Sequence, residues 1–441
     1  MRRRTPVAVL VVAAAAALAV RGCGEPAPAA PNVLLVVVDT LRQDRLGVYG
    51  YDRHPTSPTL DAFARDEAVV VEGLTAVSSW TLPSMATLFT GLGPARHGVM
   101  RLSGEAGSLL EPRTLAQELR RAGYATGCVQ GNFLLRRSWG AQLDRGFDSY
   151  DDSVIGPEAH RGSTAAEVAS RGLAWIEGRP AGQPWFLALQ FFDPHVAYED
   201  HAEYAFEDPD YRGWVVGGLG GKELRDQLDR VGPADRRQLD AFYDEEVRAV
   251  DDALGRVLAA LRARPDWQDT IVVFTADHGE ELAERGWIGH TRTLHFEQID
   301  LPLVVRLPGA AAAGERRRGR IGQAGLYATI LELAGVEVPP GRQASFAAWL
   351  RGRAAAPAAP VTAEVDFVPA LEENSAKRTR LRSVVRGDLK VVHDLEDRSW
   401  RLYDLGGDPL ERDDLSGEVG RAAEFAELRE WLLGQEWWEA D

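Results

Sequence analysis

The sequence predicts an α/β protein: one large, mostly parallel sheet sandwiched by helices, with a small C-terminal α+β subdomain. Three observations carry this. Uninterrupted apolar runs at Asn32–Val38 (NVLLVVV), Trp185–Phe191 (WFLALQF) and Thr270–Thr275 (TIVVFT) have strand length and no polar alternation, as strands covered on both faces do. Helical stretches lie between them, which is the β-then-α order of a parallel sheet. From about Val361 the pattern changes to short strands and a final helix.

At the amino terminus Arg2, Arg3 and Arg4 precede the apolar run Val7–Val20. Arg21-Gly22-Cys23 and a Pro/Ala-rich stretch to Pro31 follow. This is the layout of a bacterial export signal, and the run is shorter than the roughly 20 apolar residues of a membrane span. Gly22-Cys23 resembles a lipoprotein signal, in which the cysteine carries the lipid. Cleaved soluble export and an uncleaved anchor are the alternatives. The expected location is extracytoplasmic, periplasmic or membrane-anchored through a lipid on Cys23. Residues 1–31 thus read as signal and linker, 32–360 as the main α/β domain and 361–441 as the subdomain.

Within the main domain Thr59–Arg65 reads as a short helix, and Ser84–Thr90 as another with Pro83 in its first turn. Thr114–Ala122 is helical and Tyr124–Gln130 a strand. Arg236–Ala263 is a long helix, Leu301–Arg306 a strand and Gln323–Ala334 a further helix. Glu199–Arg236 is polar and acidic, an insertion or lid. Gly309–Arg320 and Ala354–Pro360 read as connectors. In the subdomain Val361–Val365, Ser383–Val385, Leu389–His393 and Ser399–Tyr403 read as strands, and Val419–Gln435 as a helix.

Composition narrows the function. The chain has 441 residues, 45% hydrophobic and 26% charged, which excludes wholesale disorder and a polytopic membrane protein. Lysine plus arginine is 50 against 66 acidic residues, a formal charge of −16, which argues against nucleic-acid binding. An anionic substrate stays open, because a metal ion inverts the local field. Two cysteines, Cys23 and Cys128, exclude a disulfide framework.

Ligands of open α/β sheets sit beyond the carboxyl ends of the strands. There the sequence places Asp39, then Asp193 and His195, then Asp277 and His278. One aspartate alone reads as a turn or cap; three strands delivering Asp or His to one edge read as a metal site. Thr81, in Ser79-Trp80-Thr81-Leu82-Pro83-Ser84, opens a helix. It reads as an N-cap or as a nucleophilic hydroxyl at a helix N-terminus. His290 lies in a polar loop before the last core strand. His54, His97 and His295 read as structural.

Seven segments occur in an informative order: Pro31–Gly50, Ser79–Gly91, Phe192–His195, Tyr243–Asp244, Thr275–Glu280, Gly289–Pro302 and Leu402–Glu411. By these the chain resembles the sulfatase family of the alkaline phosphatase superfamily. The resemblance implies a sulfatase-like catalytic domain that hydrolyses sulfate or related esters at one divalent metal. Asp39, Asp277 and His278 then match metal ligands. Thr81 falls where the family has the Cys or Ser matured to formylglycine. His195 and His290 match active-site positions. Calcium is the metal by resemblance, while a histidine ligand suits manganese or zinc.

The departures from the family pattern shape the expectation. Thr40 stands where the family often has a second aspartate, Met85 where it has arginine, and Asn132 and Leu134 where it has lysine and histidine. Thr81 cannot become formylglycine, so it would act as a hydroxyl that itself joins the metal set. A threonine ester must then be released by water or an acceptor alcohol. The expected function is a metal-dependent hydrolase of anionic esters, glycan- or lipid-linked, attacking through Thr81 and favouring phosphorus esters over sulfates, with His195 and His290 moving protons. An envelope phosphoryl or phosphoalcohol transferase is the alternative, and an inactive anionic-glycan-binding protein the third reading. A second metal at Asp193, His195 and His290 is the two-metal variant.

Overall fold

The computed structural model describes residues 30–101, 109–110, 112–155, 165–179, 182–368 and 378–439. The export signal and Cys23 lie outside the described residues. In chain order the main-domain strands are β1 (Asn32–Val38), β2 (Val69–Thr75), β3 (Ala125–Gln130), β4 (Ser149–Asp151), β5 (Trp185–Phe191), β6 (Thr270–Ala276), β7 (Glu281–Leu282), β8 (Ile288–Gly289), β9 (Asp300–Arg306) and β10 (Arg316–Gly322). β11 (Val361–Phe367), β12 (Thr379–Arg386), β13 (Leu389–Asp394) and β14 (Ser399–Asp404) follow. The helices are α1 (Pro58–Glu67), α2 (Thr81–Thr90), α3 (Pro94–His97), α4 (Leu115–Arg121), α5 (Ala165–Glu177), α6 (Gly221–Arg225), α7 (Pro233–Arg262), α8 (Phe296–Ile299), α9 (Gly325–Leu333), α10 (Ala347–Leu350) and α11 (Ala422–Leu433).

Among the described residues eight strands form the main sheet, in the order β10-β2-β9-β6-β1-β5-β3-β4. β1 is central and buried along its length, which is why it is almost wholly Val and Leu. Burying each such side chain contributes roughly 1.5–3 kcal/mol. β1 pairs in parallel with β5 and β6, with Val38 opposite Phe191 on one side and Ala276 on the other. That register brings three strand ends level, so Asp39 and Asp277 leave the sheet at the same height. β9 runs antiparallel to β6 and β2, so the sheet is mixed but mostly parallel.

β11 to β14 form a separate antiparallel sheet in sequence order. α11 packs on it through Leu428 and Leu432 against Val384, Val391 and Leu402. This sheet is joined to the segment before α2. The Glu364 amide donates to the Val77 carbonyl at 2.8 Å, and Phe367 meets Trp80 edge-on at 5.7 Å.

Three of the elements absent from the sequence reading have a physical reason. The connector Gly309–Arg320 ends in strand β10, whose arginines hid it; an edge strand with exposed positions has no need of an apolar run. β2 was masked by Glu72-Gly73, where its register with β9 shifts between Val71 and Leu74. α5 follows a segment outside the described residues and buries one face, including Val168 and Ile176. The Glu199–Arg236 insertion contains α6 and is tied to α7: Glu246 accepts from the Glu199 amide at 2.8 Å, and Glu245 accepts from the amides of His201 and Phe206. Among the described residues no helix is long and apolar enough to cross a membrane.

Candidate active site

The turn after β1 aims Asp39. Thr40 adopts a left-handed conformation, φ 52°, unusual for a β-branched residue and sustained by its surroundings. Its amide donates to Asp277 Oδ1 at 3.2 Å, and its carbonyl accepts from the Tyr243 hydroxyl at 2.8 Å. Asp39 Oδ2 accepts from the side-chain amides of Asn132 and, at 3.0 Å, Gln190. After β6, Asp277 Oδ1 also accepts the His278 amide at 2.8 Å. His278 Nδ1 donates to the Gly279 carbonyl at 2.9 Å, which leaves the lone pair on Nε2. Residue 279 is glycine because a Cβ there would sit 2.1 Å from the Glu297 carbonyl.

The remaining donor atoms converge. Asp39 Oδ1 and Asp277 Oδ2 are buried with no hydrogen-bond partner. They lie 3.7 and 3.5 Å from His278 Nε2. Burial pushes the Asp39 carboxyl well up, aided by Asp277, and burial likewise raises Asp277. Burial lowers His278 to about 4, so it is neutral and cannot compensate the carboxylates. Two orphaned carboxylate oxygens facing a neutral imidazole nitrogen are the donor set of a divalent cation. The residues fit the metal that the family resemblance implies, with Asp39, Asp277 and His278 as its holders.

Thr81 joins this cluster. Trp80 is the cap residue of α2 and Thr81 the first helical residue, so its side chain caps nothing. Its hydroxyl lies 3.3 Å from His278 Nε2 and accepts from Asn132 Nδ2 at 3.4 Å. Asn132 therefore bridges ligand and hydroxyl. It stands where the family has lysine, and sequence reasoning noted only the missing charge. Its role, like that of Gln190, shows up only in three dimensions.

The opposite wall carries His195 and His290, with ring centroids 5.1 Å apart; His290 lies 4.5 Å from His278. His195 Nδ1 donates to the Val196 carbonyl at 2.6 Å. His290 Nδ1 lies 2.8 Å from Glu280 Oε1. Burial, then the Arg225 charge, lowers His290 to about 3, so it is a neutral acceptor. Both histidines line a cleft of about 600 Å³ walled by Trp80, Phe133, Trp287 and Phe367. Lys222 and Arg225, from the insertion, and Arg292 also line it. Cationic charge absent at Met85 and Asn132 thus enters from the insertion, which belongs to no family segment, and from Arg292 on the His290 loop, which the sequence reading did not single out.

The other singled-out residues sort plainly. Asp193 caps α5, accepting from the Ala165 amide at 2.7 Å, and burial raises it to about 8. Among the described residues it forms no metal-type cluster with His195 and His290. His54 pairs with Asp244 at 2.7 Å and His97 packs against Thr87, both structural as read. His295 bonds Glu411 at 2.9 Å.

Residues 31–336 match the family model described as Sulfatase, and residues 283–436 match one described as N-sulphoglucosamine sulphohydrolase, C-terminal. An N-acetylglucosamine-6-O-sulfatase of Bacteroides thetaiotaomicron is 23% identical over 95% of this chain and 88% of its own. Among solved structures, one in complex with its substrate D-glucosamine-2-N,6-O-disulfate superposes with a TM-score of 0.73 at 21% identity, covering 91% of this chain and 97% of that one. A phosphonate monoester hydrolase of Agrobacterium radiobacter gives 0.73 at 22% identity, covering 91% and 95%.

Proposed function

The chain belongs to the sulfatase family, and from that premise we propose that it is a metal-dependent ester hydrolase in which Thr81 is the nucleophile. The observation that carries this is the Thr81 hydroxyl 3.3 Å from His278 Nε2, beside two unpartnered carboxylate oxygens. A divalent cation held by Asp39, Asp277 and His278 supplies the charge that lowers the pKa of a hydroxyl and polarises an ester oxygen. Thr81 Oγ gives its proton to the far wall, where His290 is a neutral acceptor beside His195, and forms the bond to phosphorus or sulfur; the ester oxygen leaves carrying that proton. In the second half the same wall takes a proton from the incoming water, and Thr81 Oγ leaves carrying it. Asn132 keeps the Thr81 hydroxyl in line with Asp39.

The intermediate is a threonine ester. Its Cβ bears one oxygen, so it has no route to an aldehyde, and water must cleave the bond at phosphorus or sulfur. This favours phosphorus esters. Lys222, Arg225 and Arg292 provide charge for the substrate anion. The substrate class is an anionic ester, glycan- or lipid-linked. The protein is exported and attached through Cys23; intact mass of protein from its native host, showing cleavage and lipid, checks this.

The functional test is a substrate panel on metal-loaded protein: aryl sulfate, phosphate monoester, phosphate diester and phosphonate monoester, with and without an acceptor alcohol. Release of free anion from a phosphorus ester without acceptor is expected. Robust aryl-sulfate turnover with none on phosphorus esters overturns the preference, and acceptor-dependent turnover points to transfer.

A further inference from the structure

The loop that carries His290 runs from the end of β8 to the start of α8. At its near end Thr291, left-handed at φ 75°, donates its amide to the Ser79 carbonyl at 3.0 Å, two residues before Thr81. At its far end Lys390 Nζ donates to the Leu294 carbonyl, and His295 Nδ1 lies 2.9 Å from Glu411 Oε2. Lys390, on β13, and Glu411, beyond β14, pair at 2.7 Å with both side chains 1% exposed. Arg285 draws the same segment in, donating to the carbonyls of Leu410 and Glu411 at 2.6 and 3.1 Å.

A buried ion pair stabilises a fold little compared with apolar side chains of the same volume. This pair has a second occupation. Among the described residues, the side-chain bonds of Lys390 and Glu411 go to each other and to the His290 loop. Only Arg292 and Thr293 separate the loop's two fastenings. Thr291, the near fastening itself, holds a conformation that persists only where the surroundings over-determine it. His290 precedes it and Arg292, which lines the cleft, follows it.

We propose that Lys390 and Glu411 are a positioning pair through which the C-terminal subdomain sets the placement of His290 and Arg292 against Thr81. Released at its far end, the loop relaxes at Thr291 and His290 shifts. A displacement of about 1 Å in such a group costs about a hundredfold in rate.

The kinetic arm of the test rests on the proposed role of His290; the exchange arm does not. Lys390→Met, Glu411→Met and the double variant are compared with the full chain by melting temperature, kcat and amide hydrogen exchange. Each single variant leaves one charge buried without its partner and melts lower. The double variant removes both charges and recovers most of the melting temperature. Its kcat nevertheless stays down roughly tenfold to a hundredfold, and residues 290–295 exchange faster while β1, β5 and β6 keep their protection. His295→Leu leaves the ion pair intact, cuts one loop contact and should raise exchange in the same segment. Native protection of 290–295 in both the double variant and His295→Leu overturns the proposal, whatever the activity. Recovery of kcat together with melting temperature in the double variant reduces the pair to a structural one. If wild-type protein turns over no ester, the functional reading falls, and exchange still decides the positioning role.

Discussion

Two clusters of buried charge lie on either side of the His290 loop, and they behave in opposite ways. At Asp39, Asp277 and His278 burial drives both carboxyls up, and the imidazole beside them is neutral. At Glu411 burial pushes the same way, but Lys390 and His295 outweigh it and hold the carboxyl at about 2. The first cluster keeps two orphaned oxygens; in the second every Glu411 oxygen has a partner. A buried charge complete in its own neighbours is architecture. One left incomplete marks where something must be added.

That contrast can be broken at several points. The largest effect is expected at Thr81, which touches the incomplete cluster without supplying its charge. Thr81→Ala should cut kcat by at least about 10³-fold, as removal of a nucleophile does, while a divalent cation still raises the melting temperature; Thr81→Ser should keep measurable turnover. Full activity in Thr81→Ala would remove the nucleophile role. Next comes the complete cluster. Glu411 has a depressed folded-state pKa, so its contribution to stability is present above its ordinary value of 4.5 and is lost as pH falls toward about 2. Integrated, this is on the order of 3 kcal/mol. Unfolding followed between pH 5 and 2 should therefore show a steeper loss in wild type than in Glu411→Gln, and parallel curves would contradict the assignment. A smaller effect is expected at Asn132, which steadies Asp39 from behind. Asn132→Leu should weaken metal affinity about 10- to 100-fold, read by calorimetric titration; an unchanged Kd would mean that Gln190 suffices. The smallest is at the cleft wall. Arg225→Ala should raise KM about tenfold with kcat nearly constant, the pattern of lost uniform binding. A fall in kcat at constant KM would instead place Arg225 in the transition state.

How much of this was legible beforehand divides along the same line. β1, β5 and β6 announce themselves as apolar runs, and their terminal Asp39, Asp277 and His278 follow from the rule that sites lie at strand ends. Thr81 was legible as a helix opener, though the cap turned out to be Trp80. The partners that make these residues a site were not legible. Asn132 reaches Asp39 across 93 positions and Gln190 across 151, and nothing local in either segment signals it. Lys390 read as one residue of an ordinary strand and Glu411 as the end of a family segment; their joint contact with residues 294–295 exists only after the subdomain docks. β10 escaped for a different reason: its arginines give no hydrophobic period to read.

Those arginines bear on how the protein behaves in company. The main sheet ends on one side in β4, three residues long, and on the other in β10, where Arg316 and Arg318 are exposed and Arg317 donates to the Trp349 carbonyl. A row of open backbone groups invites a strand from another molecule, and a short strand or a charged one discourages it. The eight-stranded sheet thus resists growing by one more strand at either margin.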